Sequence, residues 1–152
     1  MELYRIVHTR WADKLIASGR AARWNSNGVF IIYASFSRSL ACLENTVHCS
    51  GLDLTASFRV MVMEAPGEMF MEEINSSVLP ANWHLSDPET YNKCRFFGDD
   101  WYARKSSVLL KVPSALITSE YNCLINTTHP EFNLIRLRGT EPFFFDSRIK
   151  KR

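Results

Sequence analysis

What this chain lacks narrows its class before anything it contains. No stretch approaches the ~20 consecutive apolar residues that a membrane-spanning helix needs. Charge of one sign is not in excess either, since a formal net charge of +2 is too small to mark a nucleic-acid or acidic-membrane binder by itself. The opening Met1-Glu2-Leu3-Tyr4-Arg5 has no basic flank leading into an apolar run, so it does not read as a secretion signal and a cytoplasmic location is expected. The four cysteines, Cys42, Cys49, Cys94 and Cys123, form no CxxC pair and no zinc spacing. In a reducing compartment they read as small, partly buried thiols rather than disulfides. Of the histidines His8, His48, His84 and His129, no two lie three or four residues apart, which excludes a helical metal pair, and no metal is expected. There is no GxGxxG after a strand and no Walker loop, so neither a Rossmann nor a P-loop nucleotide site is indicated.

What is present fits one ordinary soluble domain over 1–152: a hydrophobic fraction of 46%, a charged fraction of 22% and aromatics at 12%. The last residues, 147–152, read as a basic, solvated tail. Leu3 to Val7 suits a short strand, and Trp11 to Ser18 is helix-compatible up to Gly19. Arg20 to Gly28 is polar and turn-rich, hence a loop. Val29 to Tyr33 is apolar throughout, as a strand buried on both faces would be. Ser37 is a good N-cap for a helix whose Leu40, Leu43 and Val47 fall on one stripe, with Glu44 near its edge.

Phe58 to Met63 alternates as a strand. Residues 66–86 carry no clear pattern. Ser86-Asp87-Pro88 starts a capped helix running toward Arg95, which Gly98-Asp99-Asp100-Trp101 is expected to break or restart. Val108 to Val112, Asn133 to Leu137 and Pro142 to Phe145 read as further strands. Mostly strands with two or three helices and short connections is α+β, not a regular βαβ alternation.

Pattern alone does not choose a site. Taken singly, Glu44 is an ordinary helix-surface carboxylate and Arg5 a strand-end cation. Tyr33 is a core phenol, Arg23-Trp24-Asn25 a loop with one anchoring tryptophan, and Ser114 a turn former after Pro113.

A set of ordered segments changes this. Tyr4-Arg5-Ile6 resembles the opening of the RES family. Arg23-Trp24-Asn25-Ser26-Asn27-Gly28 resembles that family's RWNSxG loop, followed by a hydrophobic strand ending in Tyr33. Ser39 to Glu44 is similar to its SLALLE helix, and Glu44 to His48 to its ExxVH continuation. Gly98 to Trp101 matches GDxW, Val112 to Ala115 matches VPSA, and Glu120-Tyr121-Asn122 and His129 to Phe132 resemble ExN and HPxF. Pro142 to Arg148 resembles the usual ending. The chain departs from the family at Ala21-Ala22, where glycines are common, and at Asn126-Thr127-Thr128, where Asn-Pro is common.

The resemblance spans Tyr4 to Arg148 and implies a fold like that of ADP-ribosyltransferases, mixed β-sheet with a few flanking helices. It also implies a bacterial toxin of a type II toxin–antitoxin system that consumes NAD⁺ as a substrate and needs no cofactor. The family is named for an Arg, a Glu and a Ser, which fall here on Arg5 or Arg23, on Glu44 and on Ser114. When the nicotinamide–ribose bond breaks, a neutral nicotinamide leaves and the ribose becomes oxocarbenium-like. Glu44 would stabilise that charge, worth roughly 3–4 kcal/mol for one well-placed group. Arg5 and Arg23 would hold the pyrophosphate, because guanidinium makes bidentate contacts to phosphate oxygens. Tyr33 would stack on the nicotinamide, with Trp24 and Asn25 in the same wall, and Ser114 would bond ribose or phosphate rather than act as a nucleophile. The acceptor is open between water, phosphate and a protein side chain. An Xre-like antitoxin is the implied partner, blocking the site and forming a hetero-oligomer, with a homodimer as the other arrangement. A protein ADP-ribosyltransferase and a catalytically inactive binding module are the alternatives.

Overall fold

The computed structural model describes residues 1–48, 57–146 and 148–149. Cys49 and most of the basic tail therefore lie outside the described residues. Seven strands form one mixed sheet: β1 (Glu2–His8), β2 (Ile31–Ser35), β3 (Phe58–Glu64), β4 (Met71–Glu73), β5 (Leu109–Pro113), β6 (Tyr121–Asn126) and β7 (Arg136–Phe143). Their order is β4-β5-β6-β2-β1-β3-β7, and only β4 and β5 run parallel. Among the described residues two α-helices complete the α+β architecture, α1 (Arg38–His48) and α2 (Pro88–Arg104).

The period-two alternation of strands explains the layers. Ile32, Leu109, Cys123 and Ile125 fill one face, where the connecting segments cover them with Leu15, Ala17, Met69 and Phe132. Ile31, Leu110, Val112 and Leu124 fill the other, beneath Cys94 and Trp101 of α2. Next to them Tyr4, Ile6, Val60 and Val62 pack against Ala41 of α1. The expected doubly buried strand is therefore present, displaced by two residues to Ile31–Ser35. Cys42 is half-buried and free, Cys94 and Cys123 are buried and free, and burial pushes the Cys123 thiol up to about 12.

Several expectations change for physical reasons. Only Thr9–Trp11 makes a single helical turn where a helix up to Gly19 was expected. The two strands anticipated at Asn133 to Leu137 and Pro142 to Phe145 are one strand, β7, preceded by a single turn at Pro130–Leu134 that His129 caps. Strands β4 and β6 lie where no strand was anticipated. On α1 the inward side carries Leu40 and Ala41, whereas Leu43 and Val47 are exposed. Ala41 is small enough to let the helix approach Tyr4 and Ile6, and Asn45 Nδ2 donates to the Ile6 carbonyl at 2.9 Å. The sheet-facing positions are thus Leu40, Ala41, Glu44 and Asn45, half of them polar.

Helix α2 begins as expected, with the Asp87 side chain capping Thr90 N and Pro88 in the first turn, but it runs straight through Gly98. A Cβ added at Gly98 would lie 1.8 Å from the Trp24 carbonyl oxygen. Glycine is there to let helix and loop backbones touch, at a propensity cost of ~1 kcal/mol.

The contact is backbone on backbone, so no side chain can move aside. Gly98→Ala should cost about 3 kcal/mol or more through overpacking, lowering the melting temperature by roughly 6–12 °C for a domain of this size. Calorimetry of the purified variant checks this; an unchanged melting temperature would refute the close approach.

Candidate functional site

Three strand ends converge on the inward side of α1. Asn122 is the second residue of β6 and the registered cross-strand partner of both Ser35, at the end of β2, and Val112 in β5. Ser114 follows the last residue of β5. Glu44 projects among them: its Oε1 accepts from Ser114 Oγ at 2.7 Å and from Asn122 Nδ2 at 2.5 Å. Ser35 Oγ in turn donates to Asn122 Oδ1 at 2.6 Å. Oε1 is clamped twice, while among the described residues Oε2 has no hydrogen-bond partner and Glu44 no basic partner in an ion pair.

Ser114 fulfils its plain expectation and more. Its fully buried hydroxyl accepts from Leu116 N and Ile117 N at 3.1 and 3.2 Å, which shapes the turn, and gives its proton to Glu44. No histidine bonds to it among the described residues.

The RWNSNG loop forms a second assembly. Tyr33 OH donates to Asn25 Oδ1 at 2.7 Å and accepts from Trp24 N at 3.1 Å. Burial raises the Tyr33 phenol well above its ordinary value, so it stays protonated. Asn25, almost fully buried, sends Nδ2 to the carbonyls of Arg20, Ser26 and Val29. Asp99 of α2 accepts from Ser26 N at 2.9 Å and from Ser26 Oγ at 2.5 Å. Gly28 closes the loop at φ +86°, a left-handed conformation suited to glycine. Trp24 is buried against Trp83, with ring centroids 6.2 Å apart. Arg23 gives Nη1 to the carbonyls of Trp83 and Leu85 and Nη2 to that of His84, with its guanidinium over Tyr91. In this arrangement Arg23 ties the loop to the 83–85 turn.

Arg5 differs. It lies on the face of β1 opposite Tyr4, and Nη1 donates to the Ile16 carbonyl at 3.0 Å. Burial lowers its pKa from the ordinary arginine value without discharging it. No carboxylate pairs with it among the described residues. Strands β1 and β2 are registered at one pair only, Tyr4 with Ser35, so Arg5 sits just where they part. The structure thus brings Glu44 and Ser114 together, and Tyr33, Trp24 and Asn25 together, but puts neither Arg5 nor Arg23 in contact with Glu44.

Asn122 and Ser35 were not selected from the sequence. Asn122 stood inside the ExN segment, a signal that was available; Ser35 carried none. An open hollow of about 400 Å³ is lined by Phe36, Leu40, Met71, Lys111 and Tyr121 among others, and none of Glu44, Ser114, Asn122 or Ser35 lines it. Another, of about 450 Å³, is lined by Val78, Leu79, Pro80, Phe96 and Phe97 and holds none of the selected residues.

The RES domain family model matches residues 2–146. A relative named Prs ADP-ribosylating toxin, from Sphingobium, is 34% identical over 149 residues, covering 94% of this chain and 91% of its own. A Toxin Res from Yersinia enterocolitica is 34% identical over 161 residues, covering 99% and 100%. Among solved structures, a chain in the crystal structure of the M. tuberculosis MbcT–MbcA toxin–antitoxin complex superposes with a TM-score of 0.75. It is 15% identical and covers 94% of this chain and 84% of that one, a likeness of fold.

Tyr33→Phe leaves Trp24 N and Asn25 Oδ1 without their buried partner. It should cost about 2–3 kcal/mol, the penalty for stranding such groups. Urea unfolding measures it, and a cost near zero would show that the hydroxyl does not organise the loop.

Proposed function

This chain belongs to the RES domain family, and from that premise we propose that it is the toxin of a toxin–antitoxin pair that breaks the nicotinamide–ribose bond of NAD⁺. One observation carries the reading: a carboxylate with Oε1 held by two neutral donors and Oε2 open. No cation neutralises that charge among the described residues, so it is available to a positive charge developing on a ligand.

In the proposed reaction, Oε2 of Glu44 accepts a ribose hydroxyl as the bond to nicotinamide lengthens. The ribose becomes oxocarbenium-like, and Glu44 stabilises it from a fixed position without reorganising. Nicotinamide departs neutral, so no general acid is required on its side. Arg5, a cation without a carboxylate partner among the described residues, is suited to a pyrophosphate oxygen. Tyr33 supports the site through its loop, and its ring is the surface for a nicotinamide to stack on. For Arg23 the pyrophosphate role would require exchanging three carbonyl bonds for phosphate.

A small nucleophile, water or phosphate, completes the reaction by attacking the ribose carbon, and Glu44 would take its proton. Transfer to a protein is the second reading, favoured by the name of the Sphingobium relative. NAD⁺ is a substrate in either case, and the reaction needs no cofactor. We further propose an Xre-like antitoxin that covers the open side of Glu44. The toxin–antitoxin complex with the same fold supports a partner of that kind.

Glu44→Gln keeps an oxygen for the two donors now on Oε1, removes the charge and replaces the open acceptor Oε2 with an amide donor. Expression of the parent chain should collapse cellular NAD⁺ and growth together, whereas the variant should leave both level. With purified protein the turnover loss should be roughly 10²–10³-fold. Level NAD⁺ in cells carrying soluble, folded parent chain would remove the reading and leave a binding module. Added antitoxin should abolish cleavage in a one-to-one complex; unimpaired cleavage by that complex would exclude the blocking role.

A further inference from the structure

Glu44 is held by two donors of different standing. Ser114 is itself pinned by two backbone N–H groups, so its hydroxyl can only point one way. Asn122 is an amide, and an amide presents either its oxygen or its nitrogen to a neighbour. Its orientation is decided by its two neighbours together, the Glu44 carboxylate in front, which accepts, and the Ser35 hydroxyl behind, which donates. Ser35 is 3% exposed, and its hydroxyl donates to Asn122 Oδ1. That fixes Oδ1 toward β2 and leaves Nδ2 facing Glu44 Oε1. Turned over, the amide would set its oxygen against the carboxylate, two acceptors in mutual repulsion.

The ladder makes this arrangement rigid. Ser35 and Asn122 are direct cross-strand partners, and Asn122 pairs on its other side with Val112, two residues before Ser114. Three neighbouring strands therefore hold the donors, while α1 supplies the acceptor from above. Asn45, next to Glu44 in sequence, ties α1 to the Ile6 carbonyl of β1. With Oε1 occupied from the sheet side, the open Oε2 has one direction in which to meet a ligand.

We propose that Asn122 is a positioning residue for Glu44 and that Ser35 sets it, a relay from β2 through β6 that aims the free carboxylate oxygen. The proposal rests on the NAD⁺-cleaving reading for its effect on turnover, but not for its effect on Glu44. Ser35 reaches the reacting atoms only through Asn122 and Glu44. Its removal should therefore change how well Glu44 is aimed and not how tightly NAD⁺ is held.

The test uses the full chain, its Ser35→Ala and Asn122→Ala variants, and two independent readouts. The first is the side-chain amide resonance of Asn122. In the parent chain one of its protons should be shifted downfield and protected from exchange; in Glu44→Gln it should move, and in Ser35→Ala the protection should be lost. The second is kinetic. Both variants should lower kcat for NAD⁺ cleavage by roughly 10- to 100-fold, the range for a misaimed group, with KM within about twofold of the parent. A freely exchanging Asn122 amide in the parent chain overturns the proposal, as does a Ser35→Ala variant with parental amide signals and parental kcat. If the parent chain cleaves no NAD⁺ yet shows a protected, Ser35-dependent amide, the NAD⁺-cleaving reading fails while the positioning of Glu44 stands.

Discussion

The contact on which most of this molecule depends is the one between Gly98 and the Trp24 carbonyl, backbone against backbone with no room for a Cβ. It seats the residue 20–28 loop between α2 and the sheet. Everything polar nearby follows from that seating: Asp99 reaches Ser26, Arg95 reaches the Ala22 carbonyl at 2.8 Å, and Tyr33 rises from β2 to meet Asn25 and Trp24. Buried polar groups are tolerable only when paired, and here each has a partner. Two sequence motifs far apart in the chain, RWNSNG and GDDW, are the two halves of this one joint.

Their joint explains a division of labour in the molecule. The residues that stand out most in the sequence, Trp24, Asn25, Gly98 and Trp101, hold the architecture; Trp101 is wholly buried with its indole N–H on Ser107 Oγ at 2.9 Å. The groups with chemistry to offer are plainer: a glutamate on a helix, a serine after a proline, an asparagine at a strand start. What brings them together is that β2, β5 and β6 are hydrogen-bonded neighbours, so that strand ends far apart in sequence meet. Glu44 and Asn122 are 78 residues apart along the chain and 2.5 Å apart in space.

That is also why the sequence was legible in part. Strong local signals read correctly: the Ser37 cap, the Asp87–Pro88 helix start, the turn-rich loop ending at Gly28, and β3 as a strand, although Val60 to Met63 are buried on both faces rather than alternating. Apolar periodicity misread α1, because two of its inward positions, Glu44 and Asn45, are polar for the sake of the site, which pushed the apparent stripe onto the exposed Leu43 and Val47. Gly98 read as a helix breaker because its reason lies across the fold, in Trp24. Strand β6 begins Tyr121-Asn122, a mixed start that hides the buried Cys123, Leu124 and Ile125 behind it. Ser35 was invisible, since only the register of β2 against β6 gives it a meaning.

The electrostatics of Glu44 and Arg5 complete the argument. Elsewhere on this surface opposite charges find each other, as Arg38 does with Glu141 and Arg104 with Glu72 and Asp100. Among the described residues Glu44 and Arg5 do not; the first is held by neutral donors and the second by a carbonyl. At 4 Å and an effective dielectric near 20, a unit charge pair is worth about 4 kcal/mol. Had a lysine or arginine been paired with Glu44, much of that would already be taken up in the resting protein. Neutral donors orient the carboxylate and leave its field intact. Under the proposed reaction, a ligand with a cationic centre and an anionic linker would engage both groups where β1 and β2 part. The sheet keeps them from neutralising one another, because α1 packs on one face of β1 and Arg5 lies on the other.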